Sequence, residues 1–113
     1  MLKKVEAIIR RSALRRALEA LEKVRYPGVT VSEVEGHGKQ RGITQQYRDK
    51  SHQALIPKLR LEIVAEAPLV PGVVKALVAA CQTGEIGDGK IFVSPVEQVV
   101  RVRTGEKGPK ALW

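Results

Sequence analysis

Thr83-Gly84-Glu85-Ile86-Gly87-Asp88-Gly89-Lys90-Ile91-Phe92 is the stretch on which the reading of this chain turns. Three glycines fall within the six residues from Gly84 to Gly89. Glycine admits tight turns and positive φ, so successive N–H groups can be aimed into one concavity that suits an anion. Lys90 adds a positive charge at the end of the loop. Gly84 to Lys90 also satisfies G-x-x-x-x-G-K, most of a P-loop, which requires a magnesium-binding Ser or Thr next and then a helix. Here Ile91 follows, and Ile91-Phe92-Val93 reads as a strand, while Val73 to Gln82 before the loop reads as a helix. The order is helix–loop–strand, the reverse of a P-loop. Two readings therefore stand side by side: a phosphate loop in a different frame, and an ordinary glycine turn between a helix and a strand.

Working outward, the chain repeats that architecture. Lys3 to Arg10 alternates, with Val5, Ala7 and Ile9 on one face and Lys4, Glu6, Ile8 and Arg10 on the other, the pattern of a half-buried strand. Ser12 suits a helix cap. Leu14, Leu18, Leu21 and Val24 form one stripe of a helix that Pro27-Gly28 would stop. Val29 to Glu35 is rich in β-branched residues and predicts a second strand. Gly36 to Leu55 has no sustained periodicity and is long for a connection, which marks it as functional or disordered. Lys58 to Glu66 predicts a third strand, with Leu61, Ile63 and Ala65 on one face. Pro68 and Pro71 frame the start of the second helix, which would bury Val74, Leu77, Val78 and Cys81 and end at Gly84. After the fourth strand, Arg101 to Thr104 reads as extended.

The order β-α-β, long loop, β-α-β predicts an α+β, ferredoxin-like double βαβ fold: an antiparallel four-stranded sheet with both helices on one face. The other face is left without helices. It is either solvated or used for self-association, and the partly apolar Ile8 side favours the second.

Bulk properties narrow the function. A chain of 113 residues suits one domain, and at 43% hydrophobic with 4% aromatic its core must be aliphatic. No apolar run is long enough to cross a membrane. Lys3 and Lys4 followed by Glu6, Arg10 and Arg11 do not resemble a secretory signal. A single cysteine, Cys81, excludes an internal disulfide and leads to the expectation of a reducing cytoplasm. His37 and His52 are too few for a Cys/His zinc cluster. A net charge of +8 and a pI near 10.0 point to an anionic partner. Nucleic acid is disfavoured, because the strands offer only Phe92 as a stacking surface and no helix-turn-helix is evident.

Taken together, these motifs resemble the PII signal-transduction family nearly end to end. Thr83-Gly84-x-Ile86-Gly87-Asp88-Gly89-Lys90-Ile91-Phe92-Val93 is similar to its B-loop signature. Lys4-Val5-Glu6-Ala7-Ile8-Ile9-Arg10 is similar to its opening strand. Gly36-x-Gly38-x-Gln40-x-Gly42-x-Thr44 and Pro57-Lys58-x-x-x-Glu62 are similar to the start and end of its T-loop. Pro95-Val96-Glu97 and Arg101-x-Arg103-Thr104-Gly105-Glu106 complete the match.

The resemblance implies one PII-like domain over residues 1–113, with a T-loop about 37–55, a B-loop about 82–90 and a C-terminal loop about 101–113. It implies a homotrimer that is not an enzyme, with ATP or ADP in clefts between subunits. Gly87, Asp88, Gly89 and Lys90 would hold phosphates, with Gly38 and Lys39 beside them. Arg101 and Arg103 would reach phosphates in the neighbouring cleft, and Thr30, Glu62 and Val64 would line the adenosine end. Gln40 would ligate a Mg2+ ion that bridges ATP to 2-oxoglutarate, Lys58 would pair with a 2-oxoglutarate carboxylate, and Arg10 lies near. The T-loop would engage a partner protein such as a membrane transporter or an enzyme, in nitrogen or carbon metabolism.

The departures from the family pattern are local. Arg10-Arg11-Ser12 stands where Arg-Pro-Phe is usual, Lys39 replaces an arginine, and Gln82 replaces an arginine before the B-loop. The distal T-loop is divergent, with Asp49 to Ala54 where a modifiable tyrosine is expected; Tyr47 matches a different, unmodified tyrosine. The expectation is a loop that is not uridylylated. Two alternatives accompany this reading: a carbon-side variant sensing adenine nucleotides and bicarbonate, and a small nucleotide-hydrolysing enzyme. The second lacks both the Ser or Thr after Lys90 and an obvious general base.

Overall fold

The structure, a computed structural model, describes residues 1–37 and 55–113. The T-loop positions Gly38, Lys39, Gln40 and Tyr47 lie outside the described residues. The elements run β1 (Leu2–Arg10), α1 (Leu14–Leu21), β2 (Thr30–Gly36), β3 (Ile56–Glu66), α2 (Val70–Cys81) and β4 (Gly89–Val96). The sheet has four strands in the order β2-β3-β1-β4, every neighbour antiparallel. This is the expected ferredoxin-like α+β fold.

The strand registers sort the side chains. Val5 faces Ile63 and Val93, Lys4 faces Val64 and Ser94, and Thr30 faces Glu62. Even-numbered residues thus meet even-numbered ones in all three pairings, and successive side chains alternate between faces. The odd face carries Val5, Ala7, Ile9, Leu61, Ile63 and Ala65, all buried under α1 and α2 with Ala17, Leu21, Val73 and Leu77. The even face carries Lys4, Glu6, Ile8, Arg10, Lys58, Arg60, Glu62 and Val64 on the two central strands. The buried core contains no aromatic side chain among the described residues.

Several local expectations are corrected. Ser12 caps nothing: it sits inside a short 3-10 turn, Arg11–Ala13, and Ala13 takes the N-cap position of α1. That helix ends at Leu21, before Pro27-Gly28, because the chain tightens there into bonds from Lys23 N–H to the Ala20 carbonyl and from Val24 N–H to Leu21. In α2 the buried stripe is Val70, Val73, Leu77 and Cys81. Val78 lies roughly a quarter-turn round from it and is 44% exposed. The helix stops at Cys81, with Gln82 leaving in an extended conformation, so Gly84 shapes the loop and does not end the helix.

Arg101 to Thr104 is a turn. Gly105, at φ 75°, lets the chain double back, with Gly105 N–H on the Arg101 carbonyl and Arg101 N–H on that of Glu106. A short C-terminal 3-10 turn, Pro109–Leu112, packs against β3. The Arg25 guanidinium lies 4.7 Å from the Trp113 ring centre, which ties the chain end to the α1–β2 connection.

Candidate anion-binding site

The glycine loop between α2 and β4 is organised by one carboxylate. Asp88 accepts from Thr83 N–H at 2.7 Å, from the Thr83 hydroxyl at 2.5 Å and from Gly84 N–H at 2.9 Å. The Thr83 hydroxyl, its N–H, the Gly84 N–H and Arg10 together hold the Asp88 carboxyl far below the usual carboxylate range. The concavity at the start of the loop is therefore filled by the chain's own anion. Any bound anion would have to be met further on, at Gly87, Gly89 and Lys90.

Two cations fix that second half. Arg10 donates from Nη2 to the Ile86 carbonyl at 2.7 Å and from Nε to Asp88 at 3.2 Å. Lys58 Nζ donates to the Gly87 carbonyl at 2.8 Å. A trans peptide directs its N–H opposite to its carbonyl. With Ile86 C=O turned onto Arg10, the Gly87 N–H faces away from the sheet end. Gly89 is required by contact as well as by its φ of 109°: a Cβ there would stand 1.7 Å from the Ile8 carbonyl oxygen. The loop thus sits directly on the end of β1.

Lys58 is only 8% exposed. Its pKa is lowered by burial and by Arg10 opposite, with Asp88 pulling back the other way.

Beside the loop opens a cleft of about 610 Å³, lined by Ile8, His37, Lys58, Gly87, Lys90 and Phe92 among others. A smaller apolar cavity of about 350 Å³ lies on the helix side between α2 and β4, against Val74, Leu77, Val78 and Ile91. The larger cleft is the better anion site, because it adds Lys58 and Gly87 to Lys90 and Gly89, which border both. Cys81 is buried, and burial pushes its thiol pKa up, so it belongs to the core.

The register brings the remaining residues onto the same side. Arg10, Thr30, Lys58, Glu62, Val64 and Lys90 are all even-numbered strand positions and share the helix-free face. They fall into two groups. Arg10 and Lys58 lie at the loop end, with Lys90 two residues in from them, while Thr30 opposes Glu62 about 13 Å along the strand from Lys58, and Val64 opposes Lys4 about 20 Å along it. Glu62 meets Lys4 at 3.4 Å and Arg60 at 3.9 Å. Arg101 is held by Glu106 and by the Lys110 carbonyl, whereas Arg103 is exposed on the turn. Sequence reasoning gave no role to Thr83, to the Ile86 carbonyl or to His37. The Thr83–Asp88 spacing across a glycine loop was the available signal for the first.

Comparison with known proteins places this arrangement. Residues 2–106 match the family described as Nitrogen regulatory protein P-II. The chain belongs to the P-II family. It is 53% identical over 112 residues to the Nitrogen regulatory protein P-II of Microchaete diplosiphon, covering 98% of this chain and 100% of that one. It is 48% identical over 112 residues to that of Azospirillum brasilense, with the same coverage. Among solved structures, the Arabidopsis thaliana PII bound to citrate superposes with a TM-score of 0.78 at 42% identity, covering 97% of this chain and 91% of that one.

P-II membership accounts for the coincidence of a built loop and a charged sheet face in so small a chain. The curated relatives are named as regulatory proteins, so the role is regulatory signalling. Among the described residues no helix is long and apolar enough to cross a membrane.

Proposed function

We propose that the chain is a signalling subunit that works as a homotrimer in the cytoplasm. It would bind ATP and ADP competitively in clefts between subunits and present its T-loop, about residues 37–55, to a partner protein, a membrane transporter or an enzyme of nitrogen or carbon metabolism. The observation that carries this reading is the anchored loop on the same sheet face as Thr30, Glu62 and Val64, yet with its Lys58 anchor about 13 Å along the strand from Glu62 and about 20 Å from Val64. One subunit offers two separated half-sites. A ring that sets the loop end of one subunit against the Thr30–Glu62 end of the next joins them into one cleft.

Within the cleft, the Gly87 and Gly89 backbone and Lys90 would meet the phosphates, with Gly38 and Lys39. Asp88 would contribute through the loop's shape, since its carboxylate is committed to Thr83, Gly84 and Arg10. Arg101 and Arg103 would add cations from the C-terminal loop, about residues 101–113. Guanidinium forks and glycine amides suit a polyphosphate because they add charge and donors without bulk.

The described residues hold no His/Cys/Asp/Glu cluster fit for a metal. By the family resemblance, a Mg2+ ion would take oxygens from ligand and from Gln40, a donor set that suits a hard cation keeping phosphates around it. Bound there it would bridge the triphosphate and a small carboxylate. Lys58 would pair with that carboxylate, 2-oxoglutarate or the smaller bicarbonate, and Arg10 would raise the local positive potential. Ligand exchange at the base of the T-loop would change what the loop presents.

The test is calorimetry with ADP, Mg-ATP and 2-oxoglutarate, alone and combined, alongside light scattering. Expected are a trimer, competition between ADP and ATP, and 2-oxoglutarate heat only with Mg-ATP. A monomer at every concentration, or no nucleotide binding, overturns the reading.

A further inference from the structure

Arg10 and Lys58 stand directly opposite one another on β1 and β3. Like charges so placed repel, and the glycine loop supplies what offsets it: the Ile86 carbonyl and Asp88 to Arg10, and the Gly87 carbonyl to Lys58. Arg10 is thereby fastened to the loop at two points, on residues two apart. An ammonium has three donors and can hold a carbonyl and a ligand together. The Arg10 guanidinium is planar and rigid, and its Nε and Nη2 are already committed in one direction.

We propose that Arg10 is a positioning residue of the phosphate loop, acting on a bound nucleotide through Asp88 and the Ile86–Gly87 peptide and not by touching the phosphates. The proposal rests on the nucleotide reading above. Arg10 locks the peptide whose N–H faces outward at Gly87, and it clamps the carboxylate that gathers the Thr83 and Gly84 amides. The loop is thus preset before ligand arrives, which removes an ordering cost from binding.

A double-mutant cycle on ADP binding, followed by calorimetry, tests this with Arg10→Ala, Asp88→Asn and the double variant, and with Arg10→Gln should Arg10→Ala fail to fold. Each single change is expected to weaken ADP about tenfold. The double variant is expected to be no weaker than the worse single, because both break one unit. Single effects that multiply, to about a hundredfold, would show that Arg10 acts independently of Asp88 and overturn the proposal. An ADP affinity unaltered in Arg10→Ala would also overturn the proposal.

Amide hydrogen exchange on the unliganded proteins separates the clamp from the nucleotide reading. Arg10→Ala should speed exchange at Thr83 and Gly84 while leaving β3 unaltered. If the wild type binds no ADP, the nucleotide reading falls, and unchanged exchange at Thr83 and Gly84 then overturns the clamp independently.

Discussion

The two faces of one sheet are built from the same strands and obey opposite rules. On the odd face of β3, Leu61, Ile63 and Ala65 are fully or almost fully buried. On its even face, Lys58, Arg60 and Glu62 interleave with them and form ion pairs or hold the loop. The odd face stores stability through apolar burial, worth about 1.5–3 kcal/mol for a fully buried aliphatic side chain. The even face stores position: half-exposed ion pairs are worth about 0–1 kcal/mol each, yet Arg10, Thr30, Lys58, Glu62, Val64 and Lys90 all share that one side. Function was placed where a substitution costs the fold least, with the rigid core directly behind it.

The sharpest way to break that contrast is to change adjacent residues. Leu61→Ala should destabilise by about 2–5 kcal/mol, since a fully buried leucine leaves a cavity. Glu62→Ala, one residue on, should cost about 1 kcal/mol or less. Urea unfolding at a fixed protein concentration reads both. Equal losses would mean that the even face is as structural as the odd one.

Gly89→Ala comes next, because Gly89 sits where the faces meet the loop. Its φ of 109° and the 1.7 Å approach of a Cβ to the Ile8 carbonyl force the β4 start away from β1. Strain and displacement together should cost about 2–4 kcal/mol, and the candidate phosphate site should be lost with them. Thermal unfolding and ADP calorimetry on one preparation check this; a stable variant with normal binding would show that the loop does not need its seat on β1.

What the sequence revealed about these regions follows from the range of the signals involved. The alternation of Val5, Ala7 and Ile9 and the aliphatic face of α2 are local periodicities, and they predicted the elements and the fold. The glycine loop was recognisable because its residue types are costly elsewhere. Registers are long-range. That Thr30 opposes Glu62, and that Arg10 opposes Lys58, depends on pairings between distant segments which no single window encodes. The same limit hid the tie from Asp88 to Arg10, 78 residues away, though its bonds to Thr83 and Gly84 are local. Helix ends were misread for a smaller reason: Ser12, Gly84 and Pro27 are plausible stop and start residues, but hydrogen-bond geometry ended the helices earlier.

Lys90→Ala separates affinity from stability on the even face. Its side chain is exposed beside the cleft, so folding should change by about 0.5 kcal/mol or less. Binding of ADP should weaken by about 1.5–3 kcal/mol through loss of a charge-assisted contact. Parallel calorimetry and urea titration measure the split. A loss of stability with unchanged affinity would move Lys90 from the site to the scaffold.

The smallest expected effect is a pH dependence with the same sign at the two ends of the scale, stability rising with pH in each, and it comes from the loop's own ions. Asp88 has its folded pKa depressed by Thr83, Gly84 and Arg10. A depressed carboxylate contributes stability that is present above its unfolded value and is lost as pH falls through the lower folded value. The stability gap between wild type and Asp88→Asn should therefore stay constant from neutral pH down to the ordinary carboxylate range, and narrow progressively from there as the unfolded chain takes up its proton first. Lys58 gives the same slope from a group of the opposite charge. Burial lowers its folded pKa below the usual lysine value, so the folded state binds fewer protons than the unfolded one in that interval. Stability then rises with pH from the lowered value up to the usual one, a rise that Lys58→Met should abolish. Both limbs can be read from urea midpoints across pH in wild type and the two variants. If the acid limb of wild type falls within the ordinary carboxylate range with no difference from Asp88→Asn, Asp88 does not hold the loop, and the even face would owe its order to the strands alone.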